Sequence, residues 1–342
     1  MKQLVVSTPP HLKTSRTTKH IMIDVCVALL PAAIMGVVLF GLNALYVVLL
    51  SVASAVLAEY IYALIANKVW KNVSYFGSFW KQFDFTSVVT GLLLAMVIPA
   101  SVPLYYPVLG SIFAIVVVKM LFGGTGKNVV NPAIAGRIFL FISFAAMTAY
   151  PIAKDFGLIS VIPPVENDVT TGATPLTGIL AGSTVKFTQG MLLNWLFGFG
   201  MGGCIGEVCK IGLLLGYVYL VVRKVIKFWQ PLLYIAVCGL MTVALNGFDF
   251  TYFLPSILTG GLLLGAIFMA TDYVTSPKSD LGNVIYYVAL GLITAGLRQA
   301  TGIEVVSFAI MLMNLVVPLI DRFVPCVPFG TKREKKAKEA KA

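Results

Sequence analysis

The residues of this chain that could do chemistry are concentrated in one short polar stretch, residues 168–176. It combines one carboxylate, several threonine hydroxyls and a small Gly-Ala pair that leaves the backbone open to close approach. These residues are Asp168, Thr170, Thr171, Gly172, Ala173 and Thr174. An ordinary Asx or ST turn uses the same residue types, and that interpretation stays open. The spacing Asp-x-x-Thr-Gly-Ala-Thr is more demanding than a generic polar turn, so the whole stretch is a candidate functional site.

The composition shows what kind of protein must position this stretch. Hydrophobic residues make up 58% of the 342 positions and charged residues only 11%, and the mean hydropathy is +0.92. A soluble domain carries about 25% charged residues. The sequence therefore predicts an all-α polytopic membrane protein, and residues 1–20 are not typical of a cleaved signal peptide.

The few histidines and cysteines limit the cofactors. Both histidines, His11 and His20, precede the first apolar segment, so no histidine-based metal or haem site is expected inside the bilayer. The five cysteines form no Cys-x-x-Cys pair, and most lie in or beside apolar segments, where cysteine is usually a small core residue. An iron–sulfur cluster shared with another subunit stays open as a weak alternative.

The net charge of +11 could suggest a nucleic-acid partner, but its distribution argues against one. The basic residues collect in short segments between the apolar stretches and in the tail at 332–336. This pattern follows the positive-inside rule and sets orientation. It predicts that both termini are cytoplasmic and that Thr174 is extracytoplasmic.

The apolar stretches predict ten spans, since about 20 apolar residues, or somewhat fewer in a bundle, cross a bilayer. They are residues 21–40, 44–66, 85–99, 107–122, 134–150, 205–222, 231–246, 254–270, 284–298 and 304–320. The predicted organisation has five parts: a cytoplasmic segment (1–20), a first five-helix repeat (21–150), an extracytoplasmic loop (151–200), a second five-helix repeat (201–321) and a basic cytoplasmic tail (322–342). The end of the loop, near residues 190–200, is predicted to be an interfacial segment.

A similarity between two short stretches of the sequence supports two repeats. Residues 90–95, Thr-Gly-Leu-Leu-Leu-Ala, resemble residues 259–265, Thr-Gly-Gly-Leu-Leu-Leu-Gly. The copies fall on the third and eighth spans, whose directions are opposite, as in an inverted repeat. Binding sites are then expected where broken helices meet. Chance similarity between Gly/Leu-rich spans is the alternative.

The segment 123–132 contains a Gly-Lys pair that suggests a phosphate-binding loop, but the motif fails. Leu121 stands where its first glycine should be, and Asn128 stands where Ser or Thr should follow Lys127. We expect irregular backbone at membrane depth, which is tolerated where protein or a cavity satisfies it.

Ionisable residues in or beside the predicted spans are functional candidates because their burial is costly. They are Glu59, Lys119, Arg137, Glu207, Lys210, Asp272 and Arg298. Glu207 and Lys210 are spaced i, i+3, so a structural pair on one helix face is an equal alternative. Asp272, beside Thr271, is a candidate for an ion path or a second flavin, whereas Lys119 and Arg298 could simply snorkel.

With these features in place, the chain resembles the NqrB/RnfD family. That family contains the RnfD component of Rnf ion-translocating ferredoxin:NAD oxidoreductases and the NqrB component of sodium-pumping NADH:quinone reductases. The resemblance rests on several stretches, and the shorter segment before the first span favours the Rnf branch. The stretches are 7–11, 23–32, 123–136, 168–174, 203–215 and 268–272.

The resemblance implies a urea-transporter-like fold of ten helices in two inverted repeats, within a bacterial or archaeal cytoplasmic membrane. It implies covalent FMN, joined to Thr174 by a flavin transferase through a phosphoester bond, as an electron relay coupled to Na⁺ or H⁺ translocation in the Rnf complex. Asp168 would then serve transferase recognition, with Thr171, Gly172 and Ala173 completing the motif. The resemblance also allows a non-covalent riboflavin, and no catalytic residue or protein-bound metal is expected.

Two other functions stay open at this point. One is a small-solute transporter or channel with the same fold, for which Thr174 would be irrelevant. The other is a structural membrane component that scaffolds redox partners and holds no flavin. The chain contains no recognisable ferredoxin or NAD site, so it is not expected to catalyse the whole reaction alone.

Overall fold

The computed structural model describes residues 16–69, 83–153 and 189–326, and these form helices joined by turns and irregular segments. The helices of the first half are α1 (Thr18–Phe40), α2 (Leu42–Val69), α3 (Thr86–Met96), α4 (Tyr105–Ile112), which continues as a π-helix (Phe113–Met120), and α5 (Pro132–Ser143). Those of the second half are α6 (Gln189–Phe197), α7 (Lys210–Val222), α8 (Trp229–Leu245), α9 (Phe253–Leu258), α10 (Leu262–Leu264) with a π-helix (Gly265–Met269), α11 (Asp280–Thr301) and α12 (Val306–Phe323). Short 3₁₀ helices cover Ala145–Thr148 and Phe250–Tyr252.

Four of the described helices are long and apolar enough to cross a membrane, which confirms a polytopic membrane protein. They are α1, α2 through Ala66, α11 and α12, and the bent pair Phe250–Leu258 and Leu262–Met269 raises the number to five. The shorter apolar helices are α3, Tyr105–Met120, α5, α7 and α8.

Small residues bring α1 and α7 into close contact. Gly212 and Gly216 lie one turn apart on α7, and both face α1. A Cβ on Gly212 would lie 2.9 Å from the Ala32 Cα, and a Cβ on Gly216 would overlap the Ala28 carbonyl. Such small-residue faces let helices approach closely where lipid supplies little hydrophobic driving force. The outward face of α1 is apolar, as at Ile34, which is 58% exposed.

Three of the predicted spans differ from the observed helices. The helix predicted over 134–150 ends at Ser143, because Phe144 is extended and a 3₁₀ turn follows. The helix predicted over 205–222 begins only at Lys210. The span predicted over 254–270 is broken after Leu258 and bent by 68°.

The two stretches with similar sequences differ in conformation, because only one of them contains the helix break. Thr90 and Gly91 lie inside the regular helix α3. Thr259 and Gly260 lie at the break, where Gly260 has φ +69°. The two copies therefore differ in conformation, because tertiary contacts at Gly260 override the shared local sequence.

Candidate functional site

The predicted flavin residues lie outside the described part of the chain. They are Asp168, Thr171, Gly172, Ala173 and Thr174. The described backbone at the start of their loop is anchored, because the Ala153 amide donates to Met201 at 2.8 Å and the Gly200 amide donates to Ala153 at 3.2 Å. Ile152 forms a β-bridge with Gly202. The loop therefore leaves the membrane domain beside residues 200–202.

A first polar cluster surrounds Lys119 on the π-helix; we call it the lysine-119 cluster. It contains Glu59, Asp84, Thr86, Lys119 and Thr125. The Lys119 ammonium lies 2.9 Å from Glu59 Oε1, and its side chain is only 3% exposed. It also donates to the Thr86 hydroxyl, which in turn donates to Asp84 at 2.6 Å. Lys119 is therefore hydrogen-bonded inside the protein, and the alternative that it snorkels to the membrane surface does not hold.

Asp84 closes this cluster in the segment just before α3. Its second oxygen accepts a hydrogen bond from the Thr125 hydroxyl at 2.9 Å. Burial acts to raise the pKa of Asp84, but the Thr86 hydrogen bonds, the Lys119 charge and the Thr125 hydroxyl outweigh it and hold the pKa below its ordinary value. Asp84 is therefore a carboxylate in the folded protein at neutral pH.

A cleft connects the lysine-119 cluster to the segment after the second π-helix. Its volume is about 820 Å³, including the part open to solvent. Its polar walls include Thr86, Lys119, Asn131, Thr271 and Asp272, and the remainder is largely apolar. Two residues predicted as an ion-path or second-flavin pair, Thr271 and Asp272, thus face the same cleft as Lys119.

The segment between the first π-helix and α5 forms the floor of the cleft. Gly123, Gly124 and Gly126 all have positive φ, so the predicted irregular backbone is confirmed. Asn131 ends the segment as the N-cap of α5, accepting from the Ala133 amide at 3.0 Å. Because Pro132 follows at the first helical position, the helix start is sharply defined.

Asp272 organises the opposite wall through local hydrogen bonds. One carboxylate oxygen accepts from the Val274 amide at 3.4 Å, and the other accepts from the Thr275 hydroxyl at 3.1 Å. Burial raises the pKa of Asp272 above its ordinary value, and these hydrogen bonds offset only part of the increase. Thr271 instead donates to the Ile267 carbonyl, so its hydroxyl is used within the preceding turn.

A second polar cluster surrounds the helix break; we call it the broken-helix cluster. It contains Arg137, Glu207, Lys210, Arg298 and Glu304. Arg137 pairs with Glu207 at 3.3 Å, and Arg298 pairs with Glu304 at 2.8 Å. All five residues are buried. Arg298 therefore does not snorkel, because a carboxylate neutralises it inside the protein.

The alternative of a Glu207–Lys210 pair on one helix face does not hold. Glu207 precedes α7, and Lys210 is its first residue, so the i, i+3 spacing does not fall on a helix. The Glu207 carboxylate turns to Arg137 on α5. Lys210 donates to the backbone carbonyl of Glu207 and to that of Gly260, the latter at 3.0 Å.

Several residues of these clusters were not predicted from the sequence. Asp84, Thr86, Thr125 and Glu304 lie in or beside connections, where polar residues are ordinary. The signal that could have found Glu304 is its place in the short connection between two apolar helices, because so short a connection must lie close to both. The other three give no comparable signal.

Comparisons with known proteins extend over nearly the whole chain. A family model described as the NQR2, RnfD, RnfE family matches residues 5–330. The D component of the Na(+)-translocating ferredoxin:NAD(+) oxidoreductase complex of Acetobacterium woodii is 37% identical, with 99% of this chain and 98% of the relative covered. Its proton-translocating counterpart from Clostridium ljungdahlii is also 37% identical, with 96% of each covered. The D component of the ion-translocating oxidoreductase complex of Stutzerimonas stutzeri is 33% identical, with 93% of each covered.

Proposed function

The chain belongs to the NQR2, RnfD, RnfE family, and from this premise we propose that it is the membrane-embedded D component of an Rnf-type ion-translocating ferredoxin:NAD⁺ oxidoreductase complex. The observation that carries this proposal is the match to D-component relatives over almost the full length of both chains. The apolar helices suit such a membrane component. The other membrane and peripheral subunits of the complex are its proposed partners, and they would supply the ferredoxin and NAD sites.

The proposed architecture is ten spans in two inverted five-helix repeats of the urea-transporter type. Its support is the way corresponding elements of the two halves meet. Helix α1 packs against α7, and α5 packs against α12.

FMN joined to Thr174 is the proposed redox group. The threonine hydroxyl can form a phosphoester with the FMN phosphate, and Gly172-Ala173 would let a transferase approach the backbone closely. Asp168 is proposed as the residue that the transferase recognises. The flavin supplies one- and two-electron chemistry, while the protein sets its position.

The cleft is the proposed place for a second, non-covalent flavin, riboflavin. Its walls, largely apolar with a few polar groups, are of the kind that line small-molecule sites. For the translocated Na⁺ or H⁺ we propose the carboxylates of Glu59 and Glu207, which are buried, and of Asp272 in the cleft wall, with Lys119 and Arg137 as counter-charges. Ionisable groups buried at membrane depth favour such a role.

The proposed location is the cytoplasmic membrane of a bacterium or archaeon. Both termini would be cytoplasmic and the loop that carries Thr174 extracytoplasmic, as the distribution of Lys and Arg favours. The NqrB component of a sodium-pumping quinone reductase is the alternative within the family, and the small-solute transporter is the alternative outside it.

The decisive experiment compares wild type with Thr174→Ala, each produced alongside an active flavin transferase. Flavin fluorescence on a denaturing gel and mass spectrometry of residues 168–178 are the readouts. We expect a fluorescent wild-type band with an FMN mass increment on Thr174, and none in Thr174→Ala. Thr170→Ala is the matched control, since it removes a hydroxyl from the same loop and should keep the label.

Two results would contradict the proposal. A wild-type chain without the increment would remove the flavin relay and favour the transporter or scaffold alternatives. Oxidation of NADH by the isolated chain would contradict its proposed place as one relay in a larger complex.

A further inference from the structure

The helix break leaves backbone carbonyls that need partners inside the protein. At the end of α9, the Ser256 carbonyl accepts a hydrogen bond from Arg298 at 2.9 Å. The Gly260 carbonyl accepts one from the Lys210 ammonium at 3.0 Å. At membrane depth a carbonyl without a partner costs several kcal/mol. The two cations therefore stabilise the break by occupying positions that water or an ion would otherwise fill.

Both carboxylates of the broken-helix cluster lie directly beside the glycines of the break, Gly260 and Gly261. Glu207 Oε1 lies 2.6 Å from the position that a Cβ on Gly261 would take. A Glu304 carboxylate oxygen lies even closer to the position that a Cβ on Gly260 would take. Each carboxylate already has an arginine partner, Arg137 for Glu207 and Arg298 for Glu304. The break is thus a compact site of carbonyl and carboxylate oxygens.

Lys210 differs from the two arginines in what it binds. Its ammonium donates to two main-chain carbonyls, those of Glu207 and Gly260, and the residue is only 1% exposed. A cation held by carbonyls of an unwound helix is the arrangement by which transporters with broken helices coordinate Na⁺. A small cavity also reaches this point, lined by Tyr150, Glu207, Lys210 and Glu304 among others.

We propose that the Lys210 ammonium is a tethered cation that fills a monovalent-cation site at the helix break. The site consists of the Glu207 and Gly260 carbonyls, with the Glu207 and Glu304 carboxylates beside them. Na⁺ is the free ion of matching chemistry. While Lys210 is in place, a free cation cannot bind to these two carbonyls.

The charges of the cluster make the proposal specific. With Lys210 there are three cations against two carboxylates, whereas Lys210→Met leaves two cations against two carboxylates. A bound Na⁺ would restore the original charge of the cluster, and the two carbonyls would again have a cation to bind. Removing the lysine should therefore create a sodium site where wild type has none. This expectation depends on the geometry of the break and not on flavin attachment.

The test is hydrogen exchange measured by mass spectrometry on the assembled complex, with NaCl compared against choline chloride at equal ionic strength. In Lys210→Met we expect Na⁺ to slow amide exchange in the peptide around residues 253–265 by about fivefold or more, because bound ligand suppresses local opening. Wild type should show no sodium effect in this peptide. Lys227→Met, at an exposed lysine paired with Asp280, is the matched control and should behave like wild type.

Either of two results would overturn the proposal. One is exchange in Lys210→Met that does not respond to Na⁺, and the other is an equal response in wild type. If Lys210→Met fails to assemble, preparation in NaCl should restore assembly that choline chloride does not support. Failure of that rescue in both Lys210→Met and Lys210→Gln would also overturn it.

Discussion

Glu304 occupies the space that a side chain on Gly260 would need. Its carboxylate also binds Arg298 at 2.8 Å, and the Arg298 guanidinium reaches the Ser256 carbonyl at 2.9 Å. Gly260 has φ +69°, a conformation that side chains rarely adopt. The glycine, the ion pair and the helix break therefore depend on one another, and a change at one of them should disturb all three.

Replacing Gly260 tests this dependence. Gly260→Ala should reduce the yield of folded protein severely, because the new Cβ displaces the Glu304 carboxylate and leaves Arg298 without its partner. Gly302→Ala is the control, since Gly302 has φ +68° and no atom lies within 4 Å of the point where its Cβ would stand. That substitution should cost only the backbone penalty, about 1–2 kcal/mol. Denaturant titration in detergent micelles measures the free energy of unfolding of the two variants, and an equal loss of free energy in both would contradict the prediction.

The buried pair between Lys119 and Glu59 should be more costly to break than to remove. Lys119→Met alone leaves the Glu59 carboxylate buried without its cation, which should cost about 3–5 kcal/mol of unfolding free energy. The double variant Lys119→Met with Glu59→Gln should cost less than Lys119→Met alone. A double-mutant cycle on the purified chain measures the difference. Purely additive effects would show that the ion pair is not the interaction that matters.

Asp272 should be more important for ion translocation than for the fold. An asparagine keeps an oxygen that can accept from the Val274 amide, so Asp272→Asn should assemble and keep its covalent FMN. It removes the negative charge from the cleft, and we expect Na⁺ or H⁺ uptake by the complex in proteoliposomes to fall at least about tenfold. Thr271→Val is the control, because that hydroxyl binds within its own helical turn. Full uptake by Asp272→Asn would exclude its carboxylate from the ion path.

The sequence determined the features that depend on local composition. Apolar stretches placed the helices, because about 20 apolar residues must cross a bilayer whatever their neighbours are. The irregular segment after the first π-helix was predicted from its glycines, and Gly123, Gly124 and Gly126 do adopt positive φ. The candidate Thr174 came from the resemblance of residues 168–174 to the flavin-acceptor motif of the family, and it remains a prediction because it lies outside the described residues.

Tertiary structure decided which charges meet and where a helix breaks. Lys119 and Glu59 are 60 positions apart, and Arg137 and Glu207 are 70 apart, so their pairing depends on packing between helices. Thr90-Gly91 and Thr259-Gly260 share a sequence, yet only the second breaks a helix, because Lys210, Arg298 and Glu304 are there to satisfy its carbonyls and fill its space. An ionisable residue in a span shows that a partner must exist, since burying a lone charge is too costly. Only the fold shows which residue that partner is.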